Sequence, residues 1–348
     1  MKRLLPTAAI AIALAGCNAE MESRSMVSKF RILAVRAEPA ELVADTPVEV
    51  TALFAVPRGE SSPPLALDAQ VAFITLNPLA DLTAVTDVAD LLTIRLVAVD
   101  ESGEARTGGD DLSFTQNLLD KMTLLFGDQL PVYLLACNGG TIDIGILQEA
   151  MREVLATMDT SSLAILETAC TGDGAVPIVS FKQIPIFRPA DEEDPPVTGP
   201  NTNPSLFLLG IDGLFETAQP FSPIVCEGAD GCREPVEFQV ELTAESFEYY
   251  RDWSGALRSE LETMYLSFFA DGGEFGNARI RSDHAQAAQE IAADGRIAEE
   301  VEFFADPHLF TVEWLPPREG GRVHLWIVAH DLRGGAGWAQ YDLDVVSE

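Results

Sequence analysis

Apolar and polar residues alternate with a period of two in short segments along most of the chain. Val48, Val50, Ala52 and Phe54 alternate with Glu49 and Thr51, as in a strand with one buried face. Val236, Phe238, Val240 and Leu242 alternate in the same way with Glu237, Gln239 and Glu241. The spacing predicts strands over 30–37, 48–56, 70–76, 91–99, 131–137 and 176–187 in the first half. In the second half it predicts strands over 236–242, 264–269, 309–314, 323–329 and 338–346. Turns fall at Pro39, at Asp45-Thr46-Pro47 and at Asp331-Leu332-Arg333-Gly334-Gly335, where glycine tolerates positive φ. Five or more short strands joined by Gly- or Pro-rich turns predict a β-sandwich.

Two segments change period. Ser113 with Gln116 has the spacing of a capping box, Phe114, Leu118, Met122 and Leu125 form one face, and Gly127 stops the helix. Ile146, Leu147, Ala150, Met151, Val154, Leu155 and Met158 form a second helical stripe of the kind that packs on a core. Residues 282–304, rich in Ala, Gln and Glu, predict a helical insertion over one end of the later sandwich.

The clearest boundary is residues 189–204, with prolines and the acidic run Asp191-Glu192-Glu193-Asp194. Proline removes backbone donors and like charges repel, so this stretch reads as an extended linker. The chain is then mainly β: two β-sandwich domains with helical insertions, over 29–188 and 205–348.

At the N-terminus, Lys2 and Arg3 precede an apolar stretch from Leu4 to Leu14. It is too short for a hydrocarbon core of ~30 Å, which takes roughly 20 apolar residues, and suits a cleaved export signal. It ends Leu14-Ala15-Gly16-Cys17, which resembles the lipobox of bacterial lipoproteins. The resemblance implies a signal peptide over 1–16, lipid (palmitate among the acyl chains) on Cys17, and a lipidated tether over 17–28. Two or more acyl chains hold a protein stably where one does not. Asn18, rather than Asp, after the cysteine implies transfer to the outer membrane in that group.

Charge narrows the partners. The 348 residues hold 22 basic and 55 acidic side chains, a formal net charge of −33. Such a surface repels nucleic acid, whose binding needs Lys and Arg to neutralise phosphates, and disfavours broad contact with anionic lipid heads. Four cysteines follow Cys17, an even number for an oxidising compartment. Cys226 and Cys232 bracket a small turn-forming loop, which leaves Cys137 with Cys170 around a predicted helix. Three pairings are formally possible, and local closure favours this one.

A search for chemistry finds little. There is no Gly-x-Ser-x-Gly elbow, phosphate-cradling Gly-Lys-Ser/Thr loop, His-Glu-x-x-His or calcium loop. No catalytic residue, metal site or cofactor is therefore expected. His324 and His330 share one face of a predicted strand, roughly 20 Å apart at ~3.3 Å per residue, too far for one metal ion. Alternation points Trp314 inward with Phe310 and Val312. It points Trp326 outward with the two histidines, and Trp338 outward with Gln340 and Asp342. Trp326, Trp338, His324 and His330 therefore make the candidate binding face, a possible platform for a sugar or peptide.

The run Phe30-Arg31-Ile32-Leu33-Ala34-Val35-Arg36-Ala37-Glu38-Pro39, followed by Val48-Glu49-Val50-Thr51-Ala52-Leu53, resembles the opening of uncharacterised myxobacterial-type surface lipoproteins. So does His324-Leu325-Trp326-Ile327-Val328-Ala329-His330-Asp331-Leu332-Arg333-Gly334-Gly335, with Trp338 following. The resemblance implies immunoglobulin-like or PKD-like modules and is nearly silent about activity, because a fold does not carry one. The expectation is a non-enzymatic outer-membrane lipoprotein, a structural or interaction module whose partners are the membrane and an envelope protein or glycan. The alternatives are a glycan- or peptide-binding surface protein and an enzyme with an inter-domain site.

Overall fold

The computed structural model describes residues 25–57, 68–78, 91–108, 112–157, 160–187, 200–212, 214–215, 221–226, 232–251, 257–261, 263–282 and 309–347. The signal, Cys17, the acidic run 191–194 and the insertion beyond Ser282 lie outside these residues.

The first domain runs β1 (Arg31–Glu38), β2 (Glu49–Ala55), β3 (Ala69–Leu76), β4 (Leu92–Ala98), β5 (Glu104–Arg106), α1 (Gln116–Phe126), β6 (Gln129–Asn138), β7 (Thr141–Ile142), α2 (Ile144–Thr157), a 3-10 helix (Thr160–Ala169), β8 (Cys170–Thr171) and β9 (Val176–Pro185). A sheet ordered β1-β2-β5 faces one ordered β4-β3-β6-β9, with every pair antiparallel. That is the immunoglobulin-like arrangement, in which hairpins and Greek-key crossings send successive strands to two facing sheets. Val50, Ala52 and Phe54 of β2 meet Val71 and Phe73 of β3 and Leu134 and Ala136 of β6 in the core between the sheets.

The second domain repeats the plan with β10 (Leu206–Ile211), β11 (Leu214–Phe215), β12 (Ile224–Cys226), β13 (Val236–Leu242), β14 (Tyr249–Arg251), β15 (Leu257–Leu261), β16 (Tyr265–Ala270), β17 (Glu274–Phe275), β18 (Arg279–Arg281), β19 (Leu309–Leu315), β20 (Gly321–His330) and β21 (Ala336–Ser347). The sheets are ordered β11-β10-β13-β19-β17 and β12-β21-β20-β16-β18, with β12 parallel to β21 and β14-β15 a separate ribbon. Trp314 is fully buried at the centre, its ring stacked on Phe238 at 5.3 Å and its indole N–H donated to the Gly272 carbonyl at 3.2 Å.

Among the described residues, both α-helices serve the first sandwich. Leu118, Leu119 and Met122 of α1 join Phe114 in its core. The expected capping box is not formed. Thr115 caps α1, its Oγ1 accepting the Leu118 N–H, because Ser113 is drawn into a bridge with Pro47. Gln116 does not reach back to the cap; it turns forward to Asp120 at 2.8 Å.

Between β6 and β9 the chain folds back on the outer face of that sheet. Leu147, Ala150, Met151 and Val154 of α2 and Leu166 of the 3-10 helix cover Ala72, Ile74 and Leu135 in a second core. Ile146, expected in the stripe, is instead 40% exposed, and Met158 lies outside the described residues. Cys137–Cys170 staples this layer to β6, and Cys226–Cys232 closes its short loop.

Candidate functional site

The expected aromatic face is buried, and what buries it is the first domain. On β20, Val323, Leu325, Ile327 and Ala329 face the second core, while Trp326 and Val328 face the other way. That outer face packs on Ala34 of β1 and Leu53 and Ala55 of β2, with Leu33, Phe269 and Trp338 at the margin. Trp326 is 1% exposed and His324 5%. The alternation was read correctly, but a neighbouring domain covers the face, so Trp326, Trp338, His324 and His330 form no open platform.

The seam has a polar border. His324 Nδ1 lies 2.6 Å from Asp342 Oδ1, Nε2 lies 3.3 Å from Gln340 Oε1, and the ring meets Trp326 edge-on at 4.4 Å. The Trp338 indole donates to Glu104 Oε1 at 2.7 Å, beneath an Arg36 guanidinium 4.4 Å from its ring centre. Gln340 donates to the Ser102 carbonyl at 2.9 Å. The His324 contacts tie β20 to β21, and those of Trp338 and Gln340 join β21 to β1, to β5 and to the β4–β5 turn. They satisfy polar groups that would otherwise be stranded beside a dry surface.

At the far end of the seam sits a charged joint that the sequence did not reveal. Arg333, in the β20–β21 turn, donates to Glu41 of the first domain at 3.0 Å and to Glu248 at 3.1 Å. Asn201 offers its backbone N–H to Glu41 Oε2 and its amide N–H to Asp331 Oδ2, both at 2.9 Å. Asp331 Oδ1 accepts the backbone N–H groups of Arg333 and Gly335. Lys182 of β9 donates to the Gly334 carbonyl.

Residues 200–204, expected as free linker, are therefore docked. Asn203 donates to the Ala37 carbonyl at 2.6 Å and accepts the Ala336 N–H at 3.0 Å. Pro204 passes so close to β21 that a Cβ on Gly337 would overlap its carbonyl oxygen. Prolines and acids described the composition of this stretch; the buried Asn201 and the glycines opposite were the overlooked signal.

His330 stands at the same end. Burial, then the nearby charges of Lys182 and Arg279, push its pKa down to about 4. Burial likewise lowers Lys182, with Asp331 opposing the shift. Each carboxylate of the joint holds a cationic or N–H donor. Among the described residues no three His, Cys, Asp or Glu side chains converge as metal ligands, and no helix is long and apolar enough to cross a membrane.

No protein-family model and no curated protein matches the chain. Solved structures similar to it include an Escherichia coli alpha-2-macroglobulin activated by porcine elastase, 9% identical, covering 94% of this chain and 22% of that one at a TM-score of 0.21. A beta-glucuronidase from glycoside hydrolase family 2 is 10% identical, covering 92% and 21% at 0.21. The Yersinia pseudotuberculosis adhesin InvE is 9% identical, covering 90% and 58% at 0.19. The chain thus spans less than two thirds of each of these proteins, and the fold stands on its own strand order: two immunoglobulin-like sandwiches stacked face to face.

Proposed function

We propose that this protein is a non-enzymatic, lipid-anchored module of the outer membrane that presents a stiff two-domain body for structural or adhesive contacts at the cell envelope. The observation that carries the reading is the seam. Apolar packing fills its middle, and a buried ion pair and docked linker close one end. A body joined this way suits a spacer or scaffold better than a hinged receptor. The lipobox-like Leu14-Ala15-Gly16-Cys17 and the resemblance to surface lipoproteins support the location.

The test is metabolic labelling with an alkyne palmitate analogue, followed by envelope fractionation, on the native chain and on Cys17→Ser. The native protein should carry label and sediment with outer membrane, and the variant should carry none. An unlabelled native protein, or equal label on both, contradicts the reading.

A further inference from the structure

The end of the seam beside Arg333 gathers positive charge, in a chain with 55 acidic side chains against 22 basic ones. Tyr265 of β16 pairs across the sheet with His330 of β20 on one side and Arg281 of β18 on the other, and Ser267 pairs with Arg279. Leu266 and Phe268 face the second core. Tyr265, Ser267 and their cross-strand partners therefore project from the opposite face, the one that carries Trp326 and Val328. Arg279 leans along that face towards His330, its guanidinium 4.8 Å from the Tyr265 ring centre. Lys182 reaches in from β9 of the first domain and donates to the Gly334 carbonyl, in the turn that follows His330. Two cations from different domains thus flank one imidazole and one phenol, and the charges of both add to burial in lowering the His330 pKa.

Among the described residues, neither Lys182 nor Arg279 is held in an ion pair. Asp331, whose charge favours protonated Lys182, spends Oδ2 on the Asn201 amide and Oδ1 on the N–H groups of Arg333 and Gly335. Lys182 gives one N–H to Gly334, and an ammonium group has three. A guanidinium over an aromatic ring keeps its N–H edge for a second partner, and that edge matches two oxygens of a phosphate. The Tyr265 hydroxyl and the imidazole of His330, neutral at pH 7, add one uncharged donor each.

We propose that Lys182, Arg279, Tyr265 and His330 form a binding site for a single phosphate group, built from both domains at the edge of the seam. The net charge of −33 sets the size of the ligand. One phosphate, on a soluble monoester or a lipid headgroup, meets a local reversal of the surface field, whereas a polyanion is repelled by the rest of the molecule. A bound phosphate bridges β9 to β18 and so fastens the two sandwiches together.

The experiment titrates inorganic phosphate into the full chain carrying Cys17→Ser and follows the His330 ring protons by NMR, assigned by their loss in His330→Gln. Compared with chloride at equal ionic strength, phosphate should move the His330 titration upwards, because the anion offsets the charges of Lys182 and Arg279. Arg279 is exposed, so Arg279→Gln leaves the core intact. It should weaken phosphate binding about tenfold or more, the loss expected for a charge-assisted hydrogen bond. Arg322→Gln, which removes an exposed arginine paired with Asp344 on the same sheet, should bind as the parent does. No shift beyond that in chloride overturns the site, and so does equal binding by Arg279→Gln, which would mark an adventitious ion only. Glycerol phosphate and phosphatidylcholine vesicles containing phosphatidic acid separate the two sources. Binding to glycerol phosphate alone assigns a soluble ligand, and recruitment to the vesicles that is lost in Arg279→Gln assigns a headgroup. Binding to neither overturns the proposal.

Discussion

Trp314 fills the centre of the C-terminal core between Phe238 and Phe275, and its one polar atom is satisfied by Gly272. Replacing it with alanine removes the largest buried side chain there and strands a carbonyl. Trp314→Ala should cost about 3–5 kcal/mol, seen as a lower urea midpoint; a loss below ~1 kcal/mol would mean the core is looser than its contacts indicate. His330 gives a pH dependence of definite sign. Its folded pKa of about 4 lies below the ordinary 6.5, so in that window the unfolded chain takes up a proton that the folded chain refuses. Its contribution is full above pH 6.5 and is lost as pH falls towards 4, by about 3 kcal/mol at most. Urea midpoints at pH 7, 5.5 and 4 should fall more steeply for the native chain than for His330→Gln, and identical slopes would exclude His330 as the group responsible. At this scale the sequence was legible for Trp314, because strict alternation gives its side one partner, the core. It was not legible for His330, whose environment is set first by burial and then by the charges of Lys182 and Arg279, both far away in the chain.

Among the elements, the layer of α2 and the 3-10 helix depends on its staple. Cys137 and Cys170 are 33 residues apart, and the chain-entropy model assigns such a loop roughly 3–4 kcal/mol. The double variant Cys137→Ala/Cys170→Ala should therefore speed hydrogen exchange in α2 well beyond any change in β3; uniform acceleration through both would mean that layer and sandwich unfold as one. For α1, Thr115→Ala should cost about 1 kcal/mol through loss of the cap. Most strands appear where the period predicted them, because one buried face leaves a period of two. The cap was misplaced because Ser113 and Thr115 are equivalent as sequence, and only the long-range bridge from Ser113 to Pro47 decides between them. Short strands such as β5 and β12 carry too few residues to show a period. They exist because neighbours supply their hydrogen bonds.

Across the whole molecule, two sandwiches share one seam because β2 and β20 are apolar on both faces. Val50 to Val56 and Val323 to Ala329 are each buried throughout, the pattern of strands covered on both sides. That signal was present in the sequence, but nothing local states which surface does the covering, so the face was read as open. The joint at Arg333 adds register to the seam more than net stability, since desolvation offsets much of the attraction in a buried ion pair. Removing one partner is different: Arg333→Ala leaves Glu41 with an unmatched charge and should weaken domain docking by about 3 kcal/mol, read as faster protease cleavage of the whole chain. Arg333→Ala/Glu41→Gln should recover part of that loss. The most direct test of the seam is the fluorescence of a chain whose single tryptophan is Trp326, made with Trp253→Phe, Trp314→Phe and Trp338→Phe. In the full chain its emission should be blue-shifted and nearly unquenched by iodide, and in the isolated 205–348 fragment the same residue should shift to the red and become quenchable. Equal quenching of Trp326 in the full chain and the fragment would contradict the stacked arrangement.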